Sequence, residues 1–336
     1  MVKTLVIGDL HFDNKPLGLL HAQQESIKYL IGENLDVDDI IFLGDLMMHR
    51  KPYPRVLLAL KNVMDFATSH GKKVTIIRGN HDSENKSDDG VTALSLLEGD
   101  NLRVVTHTWL DHENKRVFIP HYEDEDRIKK DLVKVPRGYT VFGHFGYCGS
   151  LNSAGDNDFS LSLTDFRCPT ILGHIHQYSR GETVTLLGTP YTTNFAEYKK
   201  ESFYGVLQDG NLETFPVEFG PRHLVIDYDM VEENVDWIND ENYFTLLRIN
   251  ISTVDKDQDR ITDLLDQLDV GYVELKYKPV VDAKYEREEM TTIDPITEIN
   301  DALIEEYINS SNTKISKEDL FKGLNLIHEN QQSRNK

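Results

Sequence analysis

The chain has 336 residues, 39% of them hydrophobic, with 36 basic against 57 acidic side chains and a formal net charge of -21. That length suffices for two domains with sizeable cores, and no run nears the roughly 18 apolar residues of a membrane span. The acidity excludes a chain that grips a polyanion through its own overall charge, since phosphate backbones are held by Lys and Arg. Either the substrate is small, or metal ions and a partner supply positive charge.

The first residues, Met1-Val2-Lys3-Thr4-Leu5-Val6-Ile7, lack the apolar core and cleavage site of a signal peptide. Segment 3–7 reads as a short strand ending in Gly8-Asp9-Leu10-His11. A helix-compatible stretch follows at 20–34, then a strand at 39–43 ending in Gly44-Asp45-Leu46. A second helix is expected at 55–70, where Val56, Leu60, Val63, Met64 and Ala67 fall near helical spacing. The β-branched run at 73–77 suits a buried strand and ends in Arg78-Gly79-Asn80-His81-Asp82. Further strands are expected at 103–106, 116–119, 140–142, 170–172, 183–187 and 203–208. Two of them end in Gly143-His144 and Gly173-His174-Ile175-His176. Strands alternating with helices argue for an α/β layered domain, whose ligands gather at the carboxyl ends of strands.

Around 219–222 the character changes. Segment 243–252 alternates like a strand, 257–268 like a helix and 270–279 like a second strand, giving a small β-α-β unit suited to a cap. A charged stretch from 281 leads into two amphipathic segments, 293–308 and 315–327. The first aligns Ile296, Ile299, Leu303 and Ile304, and the second Leu320, Phe321, Leu324 and Ile327. The expected organisation is therefore 1–218, a cap at 219–282 and a helical tail at 283–336. Cys148 and Cys168 have neither metal-finger nor redox spacing, which fits a reducing cytoplasm, or the host cytoplasm for a viral chain.

One Gly-Asp or Gly-His pair carries no weight. Asp9, His11, Asp45, Asn80, His144, His174 and His176, distributed over five strand ends of one domain, are hard to place as accident. A glycine before each group lets several loops crowd round one point. On extended backbone, residues two apart share a face, so Asp9/His11 and His174/His176 are each expected to bite one ion. Asp45 has two oxygens and can bridge a pair. Imidazole, carboxylate and amide ligands suit Mn, Fe or Zn rather than Ca.

The order of these motifs resembles the calcineurin-like metallophosphoesterase superfamily. Within it the chain is most similar to the SbcD-type DNA repair nuclease subunit and its bacteriophage and eukaryotic counterparts. Gly44-Asp45-Leu46 runs on to His49-Arg50-Lys51-Pro52, and Leu187-Gly188-Thr189-Pro190-Tyr191 follows the last histidines, both as in that branch. The resemblance implies a layered β-sandwich flanked by helices, with the β-α-β cap and helical tail behind it. It implies two divalent ions, Mn2+ foremost, one on Asp9, His11, Asp45 and His176 and the other on Asp45, Asn80, His144 and His174. It places His81 beside the metals, near the leaving oxygen, with Asp82 orienting its ring.

The activity so implied is metal-dependent exonuclease or endonuclease cleavage of DNA in repair and recombination. The implied partner is an SMC-like coiled-coil ATPase of the SbcC type, docked through the amphipathic tail, and pairing of two copies is compatible with it. Basic stretches at His49-Arg50-Lys51 with Tyr53 and Arg55, at Arg127-Ile128-Lys129-Lys130 and at Tyr198-Lys199-Lys200 are candidate DNA contacts. His21, His49, His70, His107, His112, His121, His223 and His328 read as surface or structural residues. The alternative on the same site is a phosphatase or small-molecule phosphodiesterase, which the acidity favours. Against a protein phosphatase, Gly44-Asp45-Leu46-Met47-Met48 lacks the usual arginine-bearing second motif.

Overall fold

The computed structural model describes residues 2–150, 160–252 and 258–278. Its first half runs β1 (Lys3–Ile7), α1 (Leu19–Glu33), β2 (Asp39–Phe42), α2 (Pro54–Ser69), β3 (Lys73–Ile77) and β4 (Leu102–Val105). The chain continues through β5 (Trp109–Asp111), β6 (Arg116–Ile119), α3 (Glu125–Lys134), β7 (Thr140–His144), β8 (Thr170–Gly173), β9 (Ser179–Arg180) and β10 (Val184–Leu186). It then adds β11 (Phe203–Gln208), β12 (Asn211–Pro216), β13 (Gly220–Asp227), α4 (Val235–Ile238), β14 (Tyr243–Ser252), α5 (Gln258–Leu265) and β15 (Tyr272–Lys278).

Two six-stranded sheets form, in the orders β12-β11-β1-β2-β3-β4 and β5-β6-β7-β8-β10-β9. Strands β1 to β4 pair in parallel, as do β6, β7, β8 and β10, while antiparallel strands form both edges of the second sheet and the β12 edge of the first. Apolar residues of both sheets, among them Val6, Ile41, Ile77, Phe118, Phe142 and Ile171, meet in a buried layer between them. Outside the first sheet, α1 and α2 bury Ile27, Leu30, Val56, Leu60 and Val63 against Leu5, Ile40 and Ile76. Outside the second, α3 contributes Ile128 and Leu132 to a cluster with Val117, Val141 and Leu172. The architecture is thus the α/β sandwich of two layered sheets flanked by helices. Strands buried on both faces read as near-continuous apolar runs, which is why their positions were visible in the sequence.

A third sheet, β13-β14-β15, is parallel throughout, with α5 lying between β14 and β15 in sequence. β13 is an addition to the expected β-α-β unit. This sheet buries Leu247, Ile249, Ile251, Ile261 and Leu264 as its own core. It meets the sandwich where Phe219 packs edge-on against Tyr29 of α1 at 4.7 Å and where Arg248 lies 4.1 Å from the Phe195 ring. The expected tail segments 293–308 and 315–327 lie outside the described residues.

Candidate metal centre

Register brings the loops together. Ile7 stands opposite Phe42, Phe42 opposite Ile76, and His144 opposite Gly173, so β1, β2 and β3 in one sheet and β7 and β8 in the other end level. The loops after β1 and β2 are then bonded to each other: the Asp45 carbonyl accepts from Leu10 N at 3.0 Å and His11 N at 2.9 Å. Glycine makes this approach feasible. A Cβ on Gly79 would stand 2.8 Å from Asp45 Cγ and nearer still to Oδ1, and one on Gly44 would stand 2.9 Å from His144 Cγ.

Asp9 and His11 are not an extended pair, nor are His174 and His176. His11, Asp45 and His174 adopt left-handed backbone with φ of 45°, 47° and 78°, at about 1–2 kcal/mol each for residues with a Cβ. The consequence is clearest at β8. His174 turns toward Asn80, with Nδ1 2.9 Å from Oδ1, whereas His176 turns toward His11, with the two Nε2 atoms 3.0 Å apart. Strand alternation would have put both on one ion; the turned backbone sends them to separate clusters.

Two groupings result, joined by a third in which His11, Asp45 and His81 lie together. Asp9, His11 and His176 form one, and Asp45, His144 and His174, with Asn80, form the other. Asp45 stands between them: Oδ2 is 3.7 Å from His11 Nε2 and Oδ1 is 3.4 Å from His144 Nε2. All seven sequence-predicted ligand residues are therefore in one place. Asp9, His11, Asp45 and His144 are buried, whereas Asn80, His174 and His176 are half-buried, so the cluster opens to the surface on their side.

These residues fit a divalent cation. His144 Nδ1 bonds to the Leu43 carbonyl at 2.8 Å, which requires a proton there, so Nε2 turns toward Asn80 Oδ1 at 3.0 Å and Asp45 Oδ1. Acceptors that face one another this closely need positive charge between them. Asp9 Oδ1 and His11 Nδ1 are buried without a hydrogen-bond partner among the described residues, an arrangement buried polar groups otherwise avoid.

Electrostatics point the same way. Burial pushes the Asp9 carboxyl up to about 6, with His144 pulling it down and Asp45 pushing it up. Burial is the largest influence on Asp45 and acts to raise it, but the charge and hydrogen bond of His144, together with His11 and His81, outweigh it and hold that carboxyl well below the usual range. His144 in turn is pushed up to about 9: burial opposes its charge, and Asp45 and Asp9 prevail. Burial holds His11 down at about 3 despite Asp45, leaving a neutral ring suited to ligation. A proton on His144 thus offsets carboxylate charge that a divalent cation would also offset.

His81 lies beside both groupings, its ring edge-on to His11 at 5.0 Å. Its backbone N donates to Asp45 Oδ1 at 2.8 Å, and its Nδ1 bonds to the Met48 carbonyl at 2.6 Å. Met48, not Asp82, orients the ring. The Asp82 carboxyl instead accepts from Gly79 N at 2.9 Å and Met47 N at 3.2 Å, bracing the turn beneath the site. Burial, with Asp45 adding to it, pushes Asp82 up to about 7.

Two site residues escaped the sequence. His121, just beyond β6, sits with its ring centre 5.7 Å from His174 and 6.2 Å from His144, so it belongs to the site wall. Arg78, 1% exposed, donates to its carbonyl and accepts from its N at 2.9 Å. Glu197 lies behind His176, with Oε1 2.6 Å from Nδ1. The only forewarning of His121 was its place after a strand, and of Glu197 an acid shortly after the Gly188-Thr189-Pro190 turn.

The basic stretches fare differently. His49, Lys51 and Tyr53, in the loop that continues from Met48, and Arg55, in the first turn of α2, are exposed. Arg127 is committed to α3, lying 3.8 Å from the Tyr122 ring. Lys200 turns inward to Glu197 with its side chain 4% exposed, which removes it from any surface patch.

A helix-flanked β-sandwich with histidine and carboxylate clusters at its strand ends has the build of a metallohydrolase. The calcineurin-like phosphoesterase family profile matches residues 2–178, and the chain belongs to that family. Its members are metal-dependent phosphoester hydrolases that use divalent ions. Among curated proteins, none matches this chain. One crystal structure aligns with 64% of this chain and 99% of its own at 15% identity, with a TM-score of 0.40. Another, of an archaeal phosphodiesterase, aligns over 64% and 99% at 10% identity, with a TM-score of 0.34. Likenesses that distant carry no argument about substrate. Among the described residues, no helix is long and apolar enough to cross a membrane.

Proposed function

We propose that this chain is a deoxyribonuclease subunit of the SbcD type, cleaving DNA phosphodiesters with two Mn2+ ions and working with an SMC-like coiled-coil ATPase. One ion is assigned to Asp9, His11, Asp45 and His176, the other to Asp45, Asn80, His144 and His174. The observation that carries the assignment is the position of Asp45, with one oxygen toward each cluster. When bound, the ions supply charge neutralisation for the anionic phosphodiester and acidify water for attack.

The chain's own residues do the rest. His81 donates through Nδ1–H to the Met48 carbonyl, so its imidazolium form presents the second proton, on Nε2, to the leaving sugar oxygen. Asp45 receives the His81 backbone N and so fixes that ring relative to both clusters. The exposed loop bearing His49, Lys51 and Tyr53, with Arg55 at the start of α2, begins beside His81 and can steer a phosphate backbone into the site. A net charge of -21 leaves most of the grip on DNA to the partner, for which the amphipathic segments 293–308 and 315–327 are the docking element.

That same charge supports a second reading, a phosphodiesterase of small substrates. Mn2+-dependent turnover of linear duplex DNA, bis-p-nitrophenyl phosphate and a phosphomonoester, with and without the ATPase, separates the two. Hydrolysis of DNA that the ATPase accelerates supports the nuclease. Turnover of the small diester with DNA left intact in both conditions overturns it.

A further inference from the structure

His176 is held from behind by a group no other histidine of the centre has among the described residues. The rings of His144 and His81 lean on backbone carbonyls, those of Leu43 and Met48. His176 instead leans on a carboxylate, Glu197 Oε1 at 2.6 Å from Nδ1.

Glu197 is itself fixed. It is 8% exposed and lies in the turn after Asn194. Thr193 N donates to Oε2 at 2.8 Å, and Thr193 Oγ1 and Asn194 Nδ2 donate to Oε1 at 3.0 and 3.1 Å. Lys200 Nζ stands 3.4 Å from Oε2 and also donates to Thr189. A carboxylate surrounded by donors can only accept, so the proton shared with His176 belongs to Nδ1. The Nε2 lone pair is then turned toward His11 Nε2 at 3.0 Å and Asp9 Oδ2 at 4.0 Å.

We propose that Glu197 is a positioning residue for the metal centre: it locks His176 in the Nδ1–H tautomer and aims Nε2 at the ion shared with Asp9 and His11. Glu197 is not a ligand itself, since its oxygens are taken up on the side of His176 away from the cluster. A carboxylate partner makes a ring a stronger donor than a carbonyl partner does. The effect is confined to one ion of the pair, because His144, His174 and Asn80 have no contact with Glu197 among those the structure shows. The inference rests on the two clusters being metal sites.

The test reads tautomer and ion binding rather than turnover. Long-range 1H–15N spectra of the metal-free full chain, with His176 assigned by a His176→Asn variant, should show a protonated Nδ1 and a bare Nε2. The same pattern should persist in Glu197→Gln, whose amide oxygen accepts the same bond, and give way to a tautomer mixture in Glu197→Ala. In calorimetric titration with Mn2+, Glu197→Ala should weaken one ion about 10–100-fold and leave the other unchanged, while Glu197→Gln stays within a few-fold of the parent. A parent chain with His176 protonated on Nε2 overturns the proposal, whether or not Glu197→Ala folds. So does Glu197→Ala binding both ions as tightly as the parent. A parent that binds no ions at all would instead remove the metal reading beneath it.

Discussion

Replacing Gly79 by Ala tests whether the loops are packed as tightly as the centre requires. The added Cβ would stand 2.8 Å from Asp45 Cγ and closer to its N and Oδ1, where unstrained carbon contacts lie near 3.5–4.0 Å. Asp45 has little room to yield: its carbonyl binds Leu10 N and His11 N, and its Oδ1 accepts from His81 N. Overpacking of this kind costs about 1–3 kcal/mol, and losing a hydrogen bond to a charged group about 1.5–3 kcal/mol more. The sum, roughly 2.5–6 kcal/mol, lowers the melting temperature by roughly 5–24 °C in a domain of this size. Gly32→Ala is the control, because on α1 its Cβ would meet nothing within 4 Å apart from the adjacent residues and the helix's own backbone. Helix propensity then favours the alanine by up to about 1 kcal/mol. Scanning calorimetry of both variants, with Mn2+ titration of each, is the assay. A Gly79→Ala protein that melts within 2 °C of its parent (about 1 kcal/mol or less) and binds metal normally would refute the packing argument.

Other consequences follow from single residues. His81→Ala should retain metal binding yet lose about 10²–10⁴ in diester hydrolysis; parallel metal analysis and rates check this, and unchanged turnover rules out the proton-donor role. Stripping metal with a chelator should lower the melting temperature, and restoring an ion to 100 times its Kd should return about 2.7 kcal/mol. His223 is buried, held down to about 4 chiefly by burial, and its Nδ1 sits 3.0 Å from Thr192 Oγ1. The unfolded chain takes up its proton below about 6.5 and the folded chain only below about 4, so stability should be lost as pH falls through that window. At full value this is about 3 kcal/mol, and urea titrations of His223→Asn should show a flatter profile there than those of the parent.

Much of the sandwich was legible because its strands are apolar on both faces and end in glycine. Runs such as Val74-Thr75-Ile76-Ile77 have few other uses. Helix α3 was obscured because only Ile128 and Leu132 face inward, amid charges that read as a basic surface patch. The metal-capable residues stood out by type and position; their division between two clusters came only through the family resemblance, since strand alternation would have placed His174 and His176 on one ion. That division depends on left-handed backbone at His11 and His174, which loop–loop hydrogen bonds impose and no local pattern announces. Asp82 was read from its neighbour His81, yet backbone donors at Gly79 and Met47 claim its carboxyl. Glu197 was barely signalled in the sequence for a related reason: it serves a histidine 21 positions away through a fold-made contact.

Anomalous diffraction from Mn2+-loaded crystals puts the heart of the matter to a single test. Two peaks should appear on either side of the Asp45 carboxylate, one within ligand distance of Asp9, His11 and His176, the other of Asn80, His144 and His174. One peak, or peaks that leave Asp45 without a role, would contradict the shared-carboxylate centre.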